Sequence, residues 1–375
     1  MIKEIKGYKL KLSKKIKKNS IIDFRNILLS GNLTNGKFIK RFEDKFSNLH
    51  KSKYAIACAS GGSALEIIFK SLNLKDKEVL VPSNTFIATY NAIKFSGAKP
   101  ILIDTKKNSL LVSLNEIKKK VTKNTKCVCI VHIGAHIPPD IIEIKKYCKK
   151  NNLFLVEDCA HATLSKSNNI YAGNYGDAAA FSFFATKSIT SAEGGMILSN
   201  NNKLYLKMKS MTTYGMSQSY GNYDYKYFSS NYRMNEFEAV LGYHFLNNFS
   251  QYKIEKEKIK NMYDKYLSKK LTKFETETDG NLYKYICILK NSKLKKKFIN
   301  YLKKNKIYLS GDVYSKPLHK YKIIKKENNV NLKNSLDICN RHICLPMYLG
   351  LQKKEVSKII KTVNNFISKN YIKND

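Results

Sequence analysis

The segment AAAFSFFATKSITSAEGGMIL, residues 178–198, joins two short apolar runs through a loop of small and hydroxyl-bearing residues. The runs Ala179–Phe183 and Gly195–Leu198 have the length and composition of buried strands. The loop between them carries one lysine, Lys187, and ends in Glu-Gly-Gly. The segment therefore predicts two strands of a buried sheet with Lys187 between them.

Four more apolar runs predict strands, at Glu78–Pro82, Lys99–Ile103, Cys127–Ile133 and Leu153–Val156. Helical periodicity lies between several of them, at Ser63–Leu72 and Asp140–Lys150. Strands that alternate with helices form a mostly parallel sheet with helices on both faces. We therefore predict an α/β fold whose ligand site lies at the carboxyl ends of the strands.

The pattern changes after about residue 250. The sequence predicts a lysine-rich amphipathic helix at Ile254–Leu271, a short strand at Leu282–Leu289 and a last helix at Lys354–Ile372. We predict a large α/β domain over residues 1–250 and a smaller α+β domain over residues 251–375. Because no low-complexity linker separates them, we expect the two domains to pack firmly.

The chain of 375 residues has a formal net charge of +39, which raises the question of nucleic-acid binding. Only four of its 68 basic residues are arginine, and lysines are spread along the whole chain. Recognition of phosphates and bases usually recruits arginine. We therefore expect a solvated lysine surface and no nucleic-acid partner, with a positive field that favours small anions.

Cysteine usage and hydropathy bear on location. The eight cysteines, mostly within apolar runs and without a CxxC pair, predict buried reduced thiols and no zinc site. No apolar stretch approaches the roughly 18 residues of a membrane span, and the basic N-terminus lacks the features of a secretory signal. We expect a cytoplasmic protein with no membrane partner.

Two segments carry candidate binding residues whose local patterns leave alternatives open. ACASGGSALEII, residues 57–68, opens a helix with a small-residue turn, which is either a phosphate cradle or an ordinary turn. FLVEDCAHA, residues 154–162, places Asp158 at the end of a strand, with His161 three residues on. Asp158 is a helix N-cap, a metal ligand or the partner of a protonated ring nitrogen.

Two further segments are similarly ambiguous. In the loop around Lys187, a desolvated lysine would have a lowered pKa and act as a nucleophile, whereas a lysine reaching solvent would have no special role. In SSNYRMNEFEAVLG, residues 229–242, helix capping accounts for Asn231 and Glu236. It does not account for Arg233, one of the four arginines.

Taken in order, these segments resemble the DegT/StrS-type sugar aminotransferases, which are pyridoxal-phosphate enzymes of the aspartate aminotransferase fold, fold type I. The resemblance covers about residues 27–368 and rests on linked motifs, listed here as they stand in the chain: GNLTNGKFIKRFEDKFSNLHKSKYAIACASGGSAL, VPSNTFIATYNAI, GAKPILID, LFLVEDCAHA, GDAAAFSFFATKSITSAEGGMILSN and NYRMNEFEAVLG.

The resemblance implies a role for each matching residue. Lys187 matches the catalytic lysine that binds the cofactor covalently, and Asp158 matches the carboxylate paired with the pyridine nitrogen, which keeps the ring protonated. The remaining cofactor residues match by motif: His161 at the ring oxygen, Phe86 stacked on the ring, Gly62, Ser63 and Ser182 at the phosphate, and Asn231 reaching the phosphate from a neighbouring subunit. The last match implies a homodimer with shared sites.

The sequence departs from the family pattern at three places. The usual Gly-Thr pair of the phosphate turn reads Gly61-Gly62, so a hydroxyl contact is lost or moved to Ser63. The segment VHIGAHIPPD replaces a commoner version containing Tyr-Gly, and Ala192 stands where the family prefers glycine. None of these changes removes a catalytic group.

The resemblance implies transamination from L-glutamate to a nucleotide-linked keto-sugar, expected to be a 4-keto-6-deoxyhexose, through the pyridoxamine form of the cofactor. The product would be an amino sugar for surface polysaccharide or glycan synthesis. Arg233 and His319 are candidates for binding the substrate diphosphate, with a surface role as the alternative for His319. A dehydratase or deaminase on the same cofactor and a non-catalytic regulator are the rival functions, and Lys187 argues against the dehydratase branch.

Overall fold

The structure, a computed structural model, describes residues 4–219, 222–328 and 330–371. Its strands are β1 (Tyr54–Cys58), β2 (Glu78–Pro82), β3 (Lys99–Ile103), β4 (Thr125–Val131), β5 (Phe154–Asp158), β6 (Lys166–Ser167), β7 (Ile170–Tyr171), β8 (Ala178–Ser182), β9 (Gly195–Ser199), β10 (Met216–Ser219), β11 (Asn222–Tyr225), β12 (Thr272–Lys273), β13 (Tyr285–Ile288) and β14 (His342–Leu345). Its α-helices are α1 (Lys14–Ser30), α2 (Lys37–His50), α3 (Gly61–Ser71), α4 (Ile87–Phe95), α5 (Leu114–Lys118), α6 (Ile141–Lys150), α7 (Asn202–Met211), α8 (Glu236–Asn247), α9 (Phe249–Tyr266), α10 (Lys293–Lys304), α11 (Lys322–Glu327), α12 (Lys333–Arg341) and α13 (Lys353–Asn370).

A seven-stranded sheet in the order β1-β9-β8-β5-β4-β2-β3 forms the centre of the molecule. The pairs from β8 through β5, β4 and β2 to β3 are parallel, whereas β9 runs antiparallel to both β8 and β1. Each of the six strands predicted for this part of the chain is confirmed to within two residues at either end. The α/β prediction with a mostly parallel sheet is therefore confirmed.

Alternating side chains of the strands feed two cores, one on each face of the sheet. On β2, Leu80 packs with α2, α6 and α8, while its neighbours Val79 and Val81 pack with α3, α4 and α7. Strands buried on both faces appear in sequence as continuous apolar runs, which is why the runs were recognisable.

A second unit contains the three-stranded antiparallel sheet β12-β13-β14 with α9, α10 and α13. One face of this sheet packs on those helices. On the other face, Ile286, Ile288 and Cys344 belong to a cluster with Val131, which ends β4 of the large sheet, and Ile133, which follows it. The helices predicted at Ile254–Leu271 and Lys354–Ile372 correspond to α9 and α13, although Ile372 lies outside the described residues.

The N-terminal segment also contributes to this second unit. Ile5 is buried in the core of α9, α10 and α13, and it forms a parallel bridge with Ile307. The division at residue 250 stays a prediction, and the N-terminal segment is an addition to it.

All eight cysteines are free and buried, as predicted. Within the described ranges, no helix combines the length and the apolar composition needed to cross a bilayer.

Candidate active site

The carboxyl ends of the parallel strands bring the predicted segments to one edge of the sheet. Strand β5 ends at Asp158, β8 ends at Ser182, and the glycine turn follows β1. The antiparallel strand β9 begins at the same edge with Gly195. Residues far apart in the chain therefore meet where ligands of α/β sheets bind.

Lys187 lies on the loop between β8 and β9. Its backbone N–H donates to the carbonyl of Phe184 at 2.8 Å, and a bridge between Phe184 and Ala192 closes the loop. Ala192 has a φ of 73°, a left-handed conformation that favours glycine. The departure from the family pattern at this residue therefore leaves the loop intact at a conformational cost.

The surroundings of Lys187 favour the neutral amine. Burial lowers the pKa of Lys187 from 10.5 to about 8, the Asp158 charge opposes this change, and the Lys284 ammonium adds to it. The Nζ atom lies 5.4 Å from the centroid of the Tyr283 ring. Lys187 is half-buried, and this lowered pKa favours the prediction of a nucleophilic amine over that of a lysine reaching solvent.

Asp158 is buried, and its two carboxylate oxygens are held separately. Oδ2 accepts a hydrogen bond from Thr89 Oγ1 at 2.8 Å, and Oδ1 accepts one from the Ala160 N–H at 3.1 Å. Burial raises the pKa of Asp158, while these hydrogen bonds and the charge of Lys187 lower it. A buried carboxylate in this position suits a protonated ring nitrogen, whose positive charge would compensate its burial.

Glu157, the neighbour of Asp158, has a structural role on the other face of the sheet. Its carboxylate accepts hydrogen bonds from the N–H groups of Gly173, Tyr175 and Gly176, at 2.7 to 2.8 Å. His132 Nε2 lies 2.8 Å from Glu157 Oε2. His132, Glu157 and Cys159 have the composition of a metal site, but a metal would have to displace these hydrogen bonds.

The glycine turn packs directly on the end of β8. A Cβ atom at Gly61 would lie 2.7 Å from the Cβ of Ser182, and one at Gly195 would lie 2.3 Å from the carbonyl oxygen of Ser60. The backbones approach this closely because side chains are absent. The Ser63 N–H of α3 is capped by Ser60 Oγ at 3.0 Å, whereas the N–H groups of Gly61 and Gly62 have no acceptor within the helix and are available to a phosphate.

A family model for the DegT/DnrJ/EryC1/StrS aminotransferase family matches residues 14–364. The chain belongs to this aminotransferase family. GDP-perosamine synthase of Escherichia coli O157:H7 is 30% identical over 336 residues, which are 89% of this chain and 91% of that protein.

Solved structures give the same fold. Helicobacter pylori PseC, an aminotransferase involved in the biosynthesis of pseudoaminic acid, has a TM-score of 0.90 at 26% identity, covering 98% of this chain and 100% of that chain. NtdA of Bacillus subtilis, solved with bound cofactor PMP, has a TM-score of 0.87 at 21% identity, covering 95% of this chain and 83% of that chain. The predicted fold, family, enzyme class and pyridoxal-phosphate cofactor are confirmed for this aminotransferase.

Two of the predicted cofactor residues of this aminotransferase, His161 and Phe86, follow strands of the large sheet. His161 lies three residues after the end of β5, and Phe86 lies between β2 and α4. The ring of His161 stacks on Tyr283 with centroids 4.5 Å apart, and its Nδ1 accepts the Gly134 N–H at 3.3 Å. Burial holds the pKa of His161 well below its usual value, so the ring is neutral. Phe86 precedes α4 and is 60% exposed, which leaves its ring free to stack.

The three residues predicted to bind the phosphate, Ser182, Gly62 and Ser63, do not suit that role equally well. Ser182 ends β8 beside the glycine turn, and a Cβ built at Gly62 would make only ordinary van der Waals contacts, the nearest at 3.7 Å from Ser60 Oγ. Ser63 donates its hydroxyl to the Ser60 carbonyl at 2.8 Å within a capping box. A phosphate contact by Ser63 would require this hydroxyl to be shared or released.

The three residues predicted from the 229–242 segment differ in burial: Asn231 is exposed, Arg233 is half-buried and Glu236 is buried. Asn231 is exposed, and its side-chain oxygen accepts the Arg233 N–H at 3.2 Å. The guanidinium of Arg233 lies 5.5 Å from the centroid of the Tyr214 ring. Glu236 at the start of α8 is buried and accepts the N–H groups of Phe38 and Ile39, so it is a structural anchor.

His319 is 2% exposed, so the alternative of a surface role is wrong. Its Nδ1 lies 2.7 Å from the hydroxyl of Ser83, which follows β2 at the same edge of the sheet. Burial lowers the pKa of His319. Nε2 is buried without a hydrogen-bond partner among the described residues.

Sequence reasoning missed the aromatic residues around His161. Tyr283 precedes β13, and Tyr314 stacks on the other side of the site with its ring centroid 5.8 Å from that of His161. Both belong to the C-terminal half of the chain, where the local sequence carries no active-site motif. Only the packing of the second unit against the large sheet brings them to the site.

Proposed function

We propose that this aminotransferase transfers the amino group of L-glutamate to a nucleotide-linked keto-sugar, a 4-keto-6-deoxyhexose, and forms an amino sugar for a surface polysaccharide or glycan. The names of the relatives support a sugar substrate. The observation that carries the proposal is the presence of the half-buried Lys187 and the buried Asp158 at one edge of the sheet, close enough for the charge of each to shift the pKa of the other.

The residues at this edge suit pyridoxal phosphate, and different residues would contact its ring nitrogen, its phosphate and its ring. When bound, the cofactor supplies an electron sink for the charge that develops at the donor Cα. Asp158 would hold the proton at the ring nitrogen, and the N-terminus of α3 with Ser182 would hold the phosphate. His161 and Phe86 would confine the ring.

Lys187 would act as the base and acid of the reaction. Its Nζ, with a pKa of about 8, would take the proton from the donor Cα and return it at the cofactor-side carbon. In the second half of the reaction the same atom would move the proton in the opposite direction. The aromatic walls of Tyr283 and Tyr314 would keep water from the reacting atoms.

A comparison of Lys187→Ala with Lys258→Ala tests the assignment, since Lys258 is exposed on α9. After incubation with pyridoxal phosphate and borohydride reduction, the Lys258 variant should carry a reduced cofactor on a peptide containing Lys187. The Lys187 variant should carry none. Amination of keto-sugars by Lys187→Ala at the parent rate would refute the proposal.

The substrate is tested with a panel of keto-sugar nucleotides and L-glutamate, followed by mass spectrometry. Formation of the amine in place of the ketone is the expected result. Release of 2-oxoglutarate and ammonia without an amino sugar would instead favour the deaminase alternative. Arg233 and the unpartnered Nε2 of His319 remain the proposed contacts for the diphosphate.

We also propose a homodimer in which Asn231 reaches the phosphate site of the neighbouring subunit. Exposed aromatic side chains support this proposal, because Phe228 is fully exposed near Asn231 and Phe86 is 60% exposed. If sites are shared, mixing inactive Lys187→Ala with inactive Asn231→Ala should restore part of the activity, since one site of each mixed dimer is intact. The eight free thiols support the proposed cytoplasmic location, where thiols stay reduced.

A further inference from the structure

A cavity of about 170 Å³ lies beside Lys187, between the N-terminal segment, the loop after β8 and the second unit. Five lysines line it, namely Lys9, Lys11, Lys187, Lys256 and Lys284, and none of the described lining residues is acidic. Lys9 and Lys11 are exposed. The cavity is thus a cationic site whose counter-charge is not supplied by its own described walls.

Lys256 stands apart from the other lysines of α9. Lys253 forms a salt bridge with Asp279, and Lys260 forms one with Asp264. Lys256 is 9% exposed, and its Nζ lies 3.4 Å from the hydroxyl of Ser188, which is next to Lys187. No carboxylate of the described residues pairs with it. Burial lowers the pKa of Lys256 to about 8.

Lys284 is half-buried and, like Lys256, forms no salt bridge with a carboxylate of the described residues. Its Nζ donates to the carbonyl oxygen of Ser310 and lies 5.6 Å from the centroid of the Tyr283 ring. Lys187 Nζ lies 5.4 Å from the same centroid. Lys284 and Lys187 therefore both lie near one aromatic ring, and the charge of Lys284 lowers the pKa of both Lys187 and Lys256.

Burying ammonium groups without anions is unfavourable, so this arrangement calls for an anionic ligand. Two anionic groups are available in the proposed reaction. The amino donor carries a carboxylate on the very carbon that reacts at Lys187, whereas the sugar ring separates the reacting ketone from the diphosphate. The position next to Lys187 therefore favours the donor.

We propose that Lys284 and Lys256 bind the two carboxylates of a dicarboxylic amino donor, with Lys284 at the α-carboxylate and Lys256 at the distal one. The assignment rests on the proposed function and extends it to the choice of donor. It makes L-glutamate, with two carboxylates, a better donor than L-glutamine, which has one.

The test uses Lys256→Met and Lys284→Met, which keep an unbranched side chain one atom shorter than lysine and remove the charge, with the exposed Lys258→Met as the matched control. Calorimetric titration of the cofactor-loaded enzyme with glutarate, an unreactive dicarboxylate, measures binding without turnover. We expect the Kd for glutarate to rise at least tenfold in the first two variants and to stay unchanged in the control. An unchanged cofactor absorbance shows that each variant is folded.

The donor half-reaction separates the two lysines. Lys256→Met should lose the preference for L-glutamate over L-glutamine, while Lys284→Met should slow both donors. Unchanged glutarate binding in both variants would overturn the proposal, and so would a raised KM for the nucleotide sugar alone, which would assign the lysines to its phosphates. If the parent enzyme makes no amino sugar, the proposed function fails, while the glutarate titration still decides the lysine assignment.

Discussion

The charge balance at Lys187 predicts opposite effects of two substitutions on its titration. The Asp158 charge raises the pKa of Lys187, and the Lys284 charge lowers it. Asp158→Asn should therefore move the titration of Lys187 to lower pH, and Lys284→Met should move it to higher pH. In the parent enzyme the midpoint should lie at about 8.

This pKa sets how much nucleophile is present at neutral pH. With a pKa of about 8, about a tenth of Lys187 is neutral at pH 7, about 300 times more than for an unperturbed lysine. The neutral fraction grows as pH rises through 8, because deprotonation is favoured at higher pH. The reactivity of Lys187 should accordingly level off above about pH 9, two units below an ordinary lysine.

Competitive acetylation of the cofactor-free enzyme with isotopically labelled acetic anhydride measures this titration. Peptide mass spectrometry gives the reactivity of Lys187 at each pH, and Lys258 in the same sample serves as the reference. Omitting the cofactor removes its own titration from the profile. A midpoint near 10.5 in the parent enzyme, or the same midpoint in all three proteins, would refute the electrostatic account.

Four further substitutions test the packing around the site by chemical or thermal unfolding. Ala192→Gly should stabilise the enzyme by about 1 kcal/mol, because it relieves a left-handed backbone, and an unchanged or lower stability would show that the loop is not strained. Glu157→Gln should cost about 3 kcal/mol, since three N–H groups lose a charged acceptor, and a loss under about 0.5 kcal/mol would contradict that role. Gly61→Ala should cost about 2 kcal/mol by pressing on Ser182, whereas Gly62→Ala, whose Cβ makes only ordinary van der Waals contacts, should not destabilise; equal effects would refute the close approach.

The sequence predicted the parts of the fold that local patterns determine. Strands β2, β3, β4, β5, β8 and β9 were recognisable as apolar runs because both of their faces are buried. Strand β1 was not predicted, because its residues lead directly into the glycine turn and were interpreted only as part of that turn. The order of Asp158, Ser182 and Lys187 along the chain was informative because parallel strands end at one edge.

Residue roles that depend on long-range packing were not predictable in the same way. Glu157 and Asp158 are adjacent, yet one holds a structural turn and the other faces the site, since successive side chains of a strand point to opposite faces. The different roles of Glu157 and Asp158 could have been inferred from the two-residue period of side chains along a strand. The positions of Tyr283, Lys256 and Lys284 could not, because they depend on how the second unit packs against the first.

The contacts of the N-terminal segment have a consequence for the order of folding. Ile5 completes a core made of residues 259–367, and the Tyr8 hydroxyl donates to the carbonyl of Ala185 at 2.6 Å, next to the Lys187 loop. These contacts span about 180 to 300 positions of the chain, and because closing such long loops costs conformational entropy, we expect them to form after most of both units has assembled. The N-terminal segment, which connects the Lys187 loop to the second unit, is thus expected to take its place late in folding. A fragment beginning at residue 251 would lack Ile5 and therefore part of its own core.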